Sequence, residues 1–114
     1  MAELLYDVGD DSGYRSAISR SYYAMYHCAR AVVYYARKID EEDHIKLSKK
    51  VYGVLGRDCE LILKHWRDVR NETEYYPYTK FNLEESAKDS LVVCDKFLNA
   101  CFEYLHNRGV KDVY

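Results

Sequence analysis

Residues 11–37 read DSGYRSAISRSYYAMYHCARAVVYYAR, and the pattern of this segment indicates the fold class. Its apolar side chains recur at steps of three, four or seven residues, which is the spacing of one face of an α-helix. That face consists of Tyr14, Ile18, Met25, Ala29, Val32 and Ala36. We predict a long helix that begins near Asp11 or Ser12, either of which can cap it, and that ends at about Arg37.

The middle of the chain continues the helical pattern in two segments. A shorter helix is predicted over roughly residues 44–54, with Ile45, Val51 and Leu55 facing inward. The next helix has the most regular pattern, because its apolar residues alternate steps of four and three. They are Leu55, Cys59, Ile62, Trp66, Val69, Thr73 and Tyr76. Pro77 disfavours helical geometry at the residue before it, so this helix should end near Tyr75–Tyr76.

The last segment carries the signals of a helix start and a helix end. Asn82 can cap it, and Glu85 stands where it can reach back as in a capping box. Its apolar face runs to about His106, just before Gly109, and comprises Ala87, Leu91, Cys94, Leu98, Cys101 and Leu105. The pattern predicts an all-α, up-and-down four-helix bundle that forms a single domain over residues 1–114. A version with a short extra N-terminal helix stays open.

Composition and charge narrow the functional classes. A chain of 114 residues fits one domain. The net charge of −2 disfavours nucleic-acid binding through an overall basic surface and allows a local basic patch. No run approaches the roughly 18 apolar residues that cross a bilayer, and no secretory signal is present, so we expect a cytoplasmic protein without membrane contact. The cysteines and histidines lack metal-ligand spacing, so we expect reduced thiols, no metal and no cofactor.

The polar edge of the first helix is one candidate site. Its residues follow one another at steps of three and four, and they are Ser16, Arg20, Tyr23, His27, Arg30, Tyr34 and Arg37. In one interpretation the arginines of this edge pair with acidic residues of neighbouring helices on a solvated face. In the other, the arginines bind phosphate and the tyrosines stack on a base, which makes the edge an anion or nucleotide site.

The end of the third helix is a second candidate site, and residues 67–78 read RDVRNETEYYPY. Arg70 lies next to the apolar face, so we expect it to be partly buried and to need a carboxylate or another acceptor. Glu74, one turn later, is the nearest candidate acceptor. Either Arg70 and Glu74 tie the helix end to the bundle, or Arg70 and Asn71 point into a cleft and bind phosphate beside tyrosine hydroxyls.

Two segments together resemble the HEPN family, the higher eukaryotes and prokaryotes nucleotide-binding domain. They are residues 20–31, which read RSYYAMYHCARA, and residues 70–76, which read RNETEYY. The resemblance extends from about Gly13 to His106 and is nearest to small prokaryotic members that are encoded beside a minimal nucleotidyltransferase. It implies an up-and-down helical bundle and a homodimer. Many members of the family are toxins that cleave RNA without metal.

The resemblance departs from the catalytic members of the family at one residue. Those members carry an arginine, a polar residue, and then a histidine after four to six positions. Arg70 and Asn71 match the first two, while the histidine position falls on Tyr75 or Tyr76. An unperturbed tyrosine has a pKa of about 10 and is a poor base at pH 7, where histidine works well. The resemblance therefore predicts that Arg70 binds phosphate but catalyses poorly, unless His27 takes the missing role.

Three functions follow as hypotheses. In the first, the chain is the nucleotide- or RNA-phosphate-binding component of a two-component, toxin–antitoxin-like system with a nucleotidyltransferase partner. Its binding residues would be Arg20, Tyr23, Arg30, Asn71, Tyr75 and Tyr76. In the second, it is a metal-independent ribonuclease toxin that uses Arg70 with His27 or a tyrosine. In the third, it is a non-catalytic helical scaffold for a partner protein. The resemblance also adds the hypothesis that the partner transferase attaches a nucleotide to Tyr75, Tyr76 or Tyr78.

Overall fold

The computed structural model describes residues 11–75 and 82–109, and these residues form four α-helices. The helices are α1 (Asp11–Arg37), α2 (His44–Leu55), α3 (Arg57–Tyr75) and α4 (Leu83–Asn107). No strand occurs in the described ranges. The prediction of an all-α four-helix bundle is therefore confirmed. An extra N-terminal helix would lie outside the described residues.

The central helix of the bundle is α1, which packs against each of the other three and most extensively against α4. Its fully buried apolar residues include Ile18, Met25, Ala29 and Val32 of the predicted face. The α1–α4 contact is close, because the hydroxyls of Ser21 and Ser90 lie 3.4 Å apart across it. Among the described residues, no helix is long and apolar enough to span a bilayer.

Helix α2 begins at a clear cap and returns along α1. Asp43 caps it, its side chain accepting a hydrogen bond from the backbone N–H of Lys46 at 2.9 Å. The predicted inward position of Ile45 is wrong, since 51% of this residue is exposed. The helix instead buries Leu47, Ser48 and Val51, and Ile45 lies outside the face that these residues form.

The buried face of α3 differs from the predicted one by a small rotation. Its buried residues are Cys59, Leu63, Trp66, Arg70 and Thr73. Ile62 and Val69, which were expected in the centre of the face, are half-buried at its flank. The rotation matters for function because it puts Arg70 in a core position of α3.

The start of α4 and the state of the cysteines agree with the sequence analysis. The side chain of Asn82 accepts a hydrogen bond from the backbone N–H of Glu85 at 3.1 Å, as a helix cap should. All four cysteines are free thiols, and they contribute to the core. Cys59, Cys94 and Cys101 are buried, and Cys28 is half-buried.

Candidate functional site

Arg70 lies inside the contact between α1 and α3. Only 7% of it is exposed, so it is more deeply buried than the sequence suggested. Its Nη1 donates a hydrogen bond to the hydroxyl of Tyr23, and its Nη2 donates to Oδ1 of Asn71 at 2.8 Å. The Cζ atom also lies 4.8 Å from the ring centroid of Tyr23 and 5.4 Å from that of Tyr22. Two tyrosines of α1 thus hold the guanidinium through cation–π contact and a hydrogen bond.

Tyr22 is the buried member of this pair. It is fully buried, and burial raises its pKa well above the usual value of about 10. The positive charges of Arg70 and Arg67 lower that pKa, but burial outweighs them. Tyr22 therefore keeps its proton at neutral pH and can serve as a hydrogen-bond donor inside the bundle.

His44 is the residue that the sequence analysis missed. Its Nδ1 is hydrogen bonded to the Tyr22 hydroxyl at 2.5 Å, and its ring stacks on Tyr26 with centroids 4.2 Å apart. Burial lowers its pKa below the usual value, and the positive charges of Arg70 and Arg67 lower it further. The imidazole is consequently neutral at pH 7.

The segment before α2 explains how His44 reaches this place. Residues 38–43 are fixed to α1 at two points. The Tyr26 hydroxyl donates to the backbone carbonyl of Glu42 at 2.5 Å, and Arg30 forms a bidentate pair with Asp40, the shortest distance being 2.9 Å from Nη2 to Oδ2. Helical periodicity does not encode the path of such a segment, so no sequence signal would have brought His44 to Tyr22.

Arg67 is a second arginine of α3, and its positive charge lowers the pKa of Tyr22 and of His44. Its Nη2 contacts Asp68 Oδ1 at 3.0 Å. Its Nε is buried and finds no hydrogen-bond partner in the described part of the chain. The charge of Arg67 acts on Tyr22 and His44, as their pKa shifts indicate. We name Tyr22, Tyr23, His44, Arg67 and Arg70 the arginine–tyrosine cluster.

The polar edge of α1 divides into residues that reach this cluster and residues that do not. His27 is exposed and stacks on Tyr23, with ring centroids 6.2 Å apart, so it connects to Arg70 through that tyrosine. Arg20 is exposed one turn before Tyr23. Arg30 is occupied by Asp40, as expected if arginines of this edge pair with acids.

Other predicted site residues cannot be placed in this arrangement. Tyr76 and Tyr78 lie outside the described residues, as do the side chains of Glu74 and Tyr75. The predicted Arg70–Glu74 pair therefore stays a prediction. Across residues 11–75 and 82–109, no three acidic, histidine or cysteine side chains are arranged to hold a metal ion.

The arrangement contains the groups that an anion site uses. Arg70 donates a hydrogen bond to the Tyr23 hydroxyl, His44 is hydrogen bonded to the Tyr22 hydroxyl, and Tyr23 is 38% exposed. A guanidinium is suited to phosphate because its donors match two phosphate oxygens at once. Comparisons of the chain with protein-family models, with curated proteins and with solved structures found no match.

Proposed function

We propose that the chain is a HEPN-like protein that binds a phosphate group of a nucleotide or RNA at the arginine–tyrosine cluster. One observation carries the proposal: Arg70 is buried with a hydrogen bond to the Tyr23 hydroxyl, and one turn earlier the buried Nε of Arg67 has no hydrogen-bond partner among the described residues. The whole chain has a net charge of −2, so this concentration of positive charge is local. A local positive region attracts phosphate even when the protein as a whole is acidic.

Tyr23 is the proposed entrance to the site. Its hydroxyl accepts the hydrogen bond from Arg70 Nη1, which is the bond that a phosphate oxygen would accept. A ligand that displaces the Tyr23 ring would contact Arg70, and one turn earlier on α3 the buried Nε of Arg67 needs an acceptor. Exposed Arg20 and His27 flank the entrance and can meet the rest of the ligand.

The partner proposals rest on the resemblance of residues 20–31 and 70–76. In this proposal a homodimer acts in the cytoplasm with a nucleotidyltransferase, as one half of a toxin–antitoxin-like pair. Co-expression with a minimal nucleotidyltransferase encoded beside the gene tests this part. Co-purification of the two proteins is expected, and an added nucleotide mass on Tyr75, Tyr76 or Tyr78 would show modification. Failure to co-purify would contradict the partner proposal and leave phosphate binding to its own test.

Calorimetric titration with AMP and with a short single-stranded RNA tests the binding site. Arg70→Lys keeps the charge and loses the bidentate geometry, so we expect affinity to fall roughly tenfold. Arg67→Gln, on a half-buried residue, provides a second variant that is easier to fold. Arg57→Gln is the matched control, because this exposed arginine lies at the other end of α3.

The outcome separates binding at the cluster from general charge attraction. Circular dichroism first confirms that each variant is folded. Equal weakening by Arg57→Gln and Arg67→Gln would mean that only net charge matters. Unchanged affinity in folded Arg67→Gln and Arg70→Lys would refute the proposed site.

His44 favours a second candidate function, metal-independent RNA cleavage. A neutral imidazole can accept the proton of an RNA 2′-hydroxyl. The 2′-oxygen would bond to phosphorus while the bond from phosphorus to the 5′-oxygen breaks. The proton would pass to Nε2 of His44 and return through water to the leaving 5′-oxygen, giving a 2′,3′-cyclic phosphate and a 5′-hydroxyl. In the required tautomer, Nδ1–H donates to Tyr22.

Cleavage of labelled RNA in the presence of a chelator tests this function. Under this hypothesis His44→Gln should lower the rate by roughly 10²–10⁴, the usual value of a positioned acid or base. His65→Gln, an exposed histidine on α3, is the control. Loss of cleavage in His27→Gln but not in His44→Gln would assign the role to His27 instead. Wild-type protein that binds RNA without cutting it would leave phosphate binding as the function.

A further inference from the structure

Gly53 is an unusual residue in the last turn of α2, on the exposed side of the helix. A glycine inside a helix costs about 1 kcal/mol relative to alanine, so its presence calls for a structural reason. A Cβ atom at this position would lie 2.7 Å from Nη2 of Arg37, and the same Nη2 lies 3.5 Å from the Gly53 carbonyl oxygen. The missing side chain thus makes room for the guanidinium of Arg37 across the backbone of α2.

Arg37, which carries this guanidinium, lines an open cavity of about 310 Å³. Its lining residues are Arg37, Ile39, Lys49, Lys50, Tyr52 and Gly53. Lys50 forms an ion pair with Glu41. Across residues 11–75 and 82–109, no such pair involves Arg37 or Lys49, and no acidic residue lines the cavity.

The wall of the cavity also offers apolar and aromatic surface. Tyr52 is 54% exposed and Ile39 is 48% exposed, although both belong to the residue types that fill cores. Cationic groups beside an exposed aromatic ring are the combination that binds a nucleotide strand, in which phosphates meet the charges and a base stacks on the ring.

A second cavity lies along α1, between the positions of Tyr23 and Arg37. It has a volume of about 330 Å³, and its lining includes His27, Arg30, Tyr34 and Asp40. Because Asp40 neutralises Arg30, this middle part offers the exposed rings of His27 and Tyr34 rather than positive charge. The cationic sites therefore lie at the two ends, and aromatic surface lies between them.

We propose that the Arg37–Lys49 cavity is a second phosphate site that holds the same RNA strand as the arginine–tyrosine cluster. This inference rests on the proposed function and names its ligand class, single-stranded RNA rather than a free nucleotide. Tyr23 and Arg37 are separated by roughly 21 Å along α1, given the rise of an α-helix. A mononucleotide cannot bridge that distance, whereas a strand of several nucleotides can.

Fluorescence anisotropy with a labelled single-stranded RNA of about ten nucleotides, together with calorimetry with AMP, tests the inference. The double variant Arg37→Gln/Lys49→Gln should weaken RNA binding roughly tenfold and leave AMP binding at the arginine–tyrosine cluster unchanged, because only the strand reaches both sites. Arg57→Gln/Lys64→Gln on α3 removes the same charge elsewhere and is the matched control.

Gly53→Ala is the sharpest variant, since it displaces Arg37 without changing any charge. It replaces a helix glycine by a better helix former and displaces only the end of a flexible side chain, so it should fold. We expect RNA binding to weaken and AMP binding at the arginine–tyrosine cluster to stay as in the wild type. Unchanged RNA binding in both Gly53→Ala and the double variant would overturn this inference alone. Wild-type protein that binds neither RNA nor AMP would overturn the proposed function with it.

Discussion

Two regions at opposite ends of the α1 edge each hold an arginine, and they hold it in opposite ways. Arg70 is buried between α1 and α3, where Tyr22 and Tyr23 cover its guanidinium. Arg37 is exposed and lies across the backbone of α2, where Gly53 leaves it room. The difference shows that one residue type can serve two purposes: the tyrosine-held arginine is part of the core, and the glycine-supported one faces solvent.

The largest difference between the two regions should appear in stability. Arg70→Ala leaves a cavity and removes the hydrogen bonds to Tyr23 and Asn71, so we expect a loss of about 2–4 kcal/mol in the free energy of unfolding. Arg37→Ala should change it by less than about 0.5 kcal/mol, because the residue is exposed. Urea unfolding measures both values. Similar losses in the two variants would contradict the distinction.

A smaller effect is expected from the hydroxyl that joins Tyr22 to His44. Tyr22→Phe keeps the ring and removes this hydrogen bond, so stability should fall by about 1 kcal/mol. Tyr52→Phe, on the exposed ring beside Arg37, should have almost no effect. The same urea measurement applies, and equal effects of the two substitutions would mean that the buried hydroxyl contributes nothing special.

The stability of the fold should depend on pH through His44. The pKa of His44 is lowered in the folded state, mainly by burial. Below pH 6.5 the unfolded chain takes up a proton at this position that the folded chain does not, so stability falls as the pH decreases from 6.5 through the lowered pKa. His44→Gln should reduce this fall between pH 7 and pH 5, and the exposed His65→Gln should leave it unchanged. An identical pH profile for wild type and His44→Gln would exclude the effect.

The smallest effect, and one of opposite sign, is expected at Gly53. Gly53→Ala should raise the free energy of unfolding by up to about 1 kcal/mol, because alanine is the better helix former. Displacement of the exposed Arg37 side chain offsets little of this gain. Thermal unfolding followed by circular dichroism detects the change. A clear loss of stability would show that the Arg37 contact with α2 is structural rather than available for a ligand.

Sequence periodicity predicted the helices well and the cluster only in part. The cap at Asn82 depends on local chemistry, which the sequence states directly. The burial of Arg70 depends on how far α3 rotates about its own axis, and this is set by packing of Leu63 and Trp66 against other helices. A one-residue shift of the apolar face is too small for periodicity to resolve.

His44 was missed for a different reason. Its place beside Tyr22 is set by the path of residues 38–43 and by the contacts of Tyr26 and Arg30 with that segment. Those contacts join residues far apart on the helical pattern, so spacing rules do not predict them. Arg30 was predicted as a phosphate ligand, and its bidentate pairing with Asp40 gives it a role in positioning the segment.

The fixed course of residues 38–43 has a consequence for how this protein can change over evolution. Because His44 is the first residue of α2, one inserted or deleted residue there would shift the imidazole together with Leu47 and Val51, which α2 buries. A change in the length of this short connection would therefore disturb the surroundings of Tyr22 and cost folding stability at the same time.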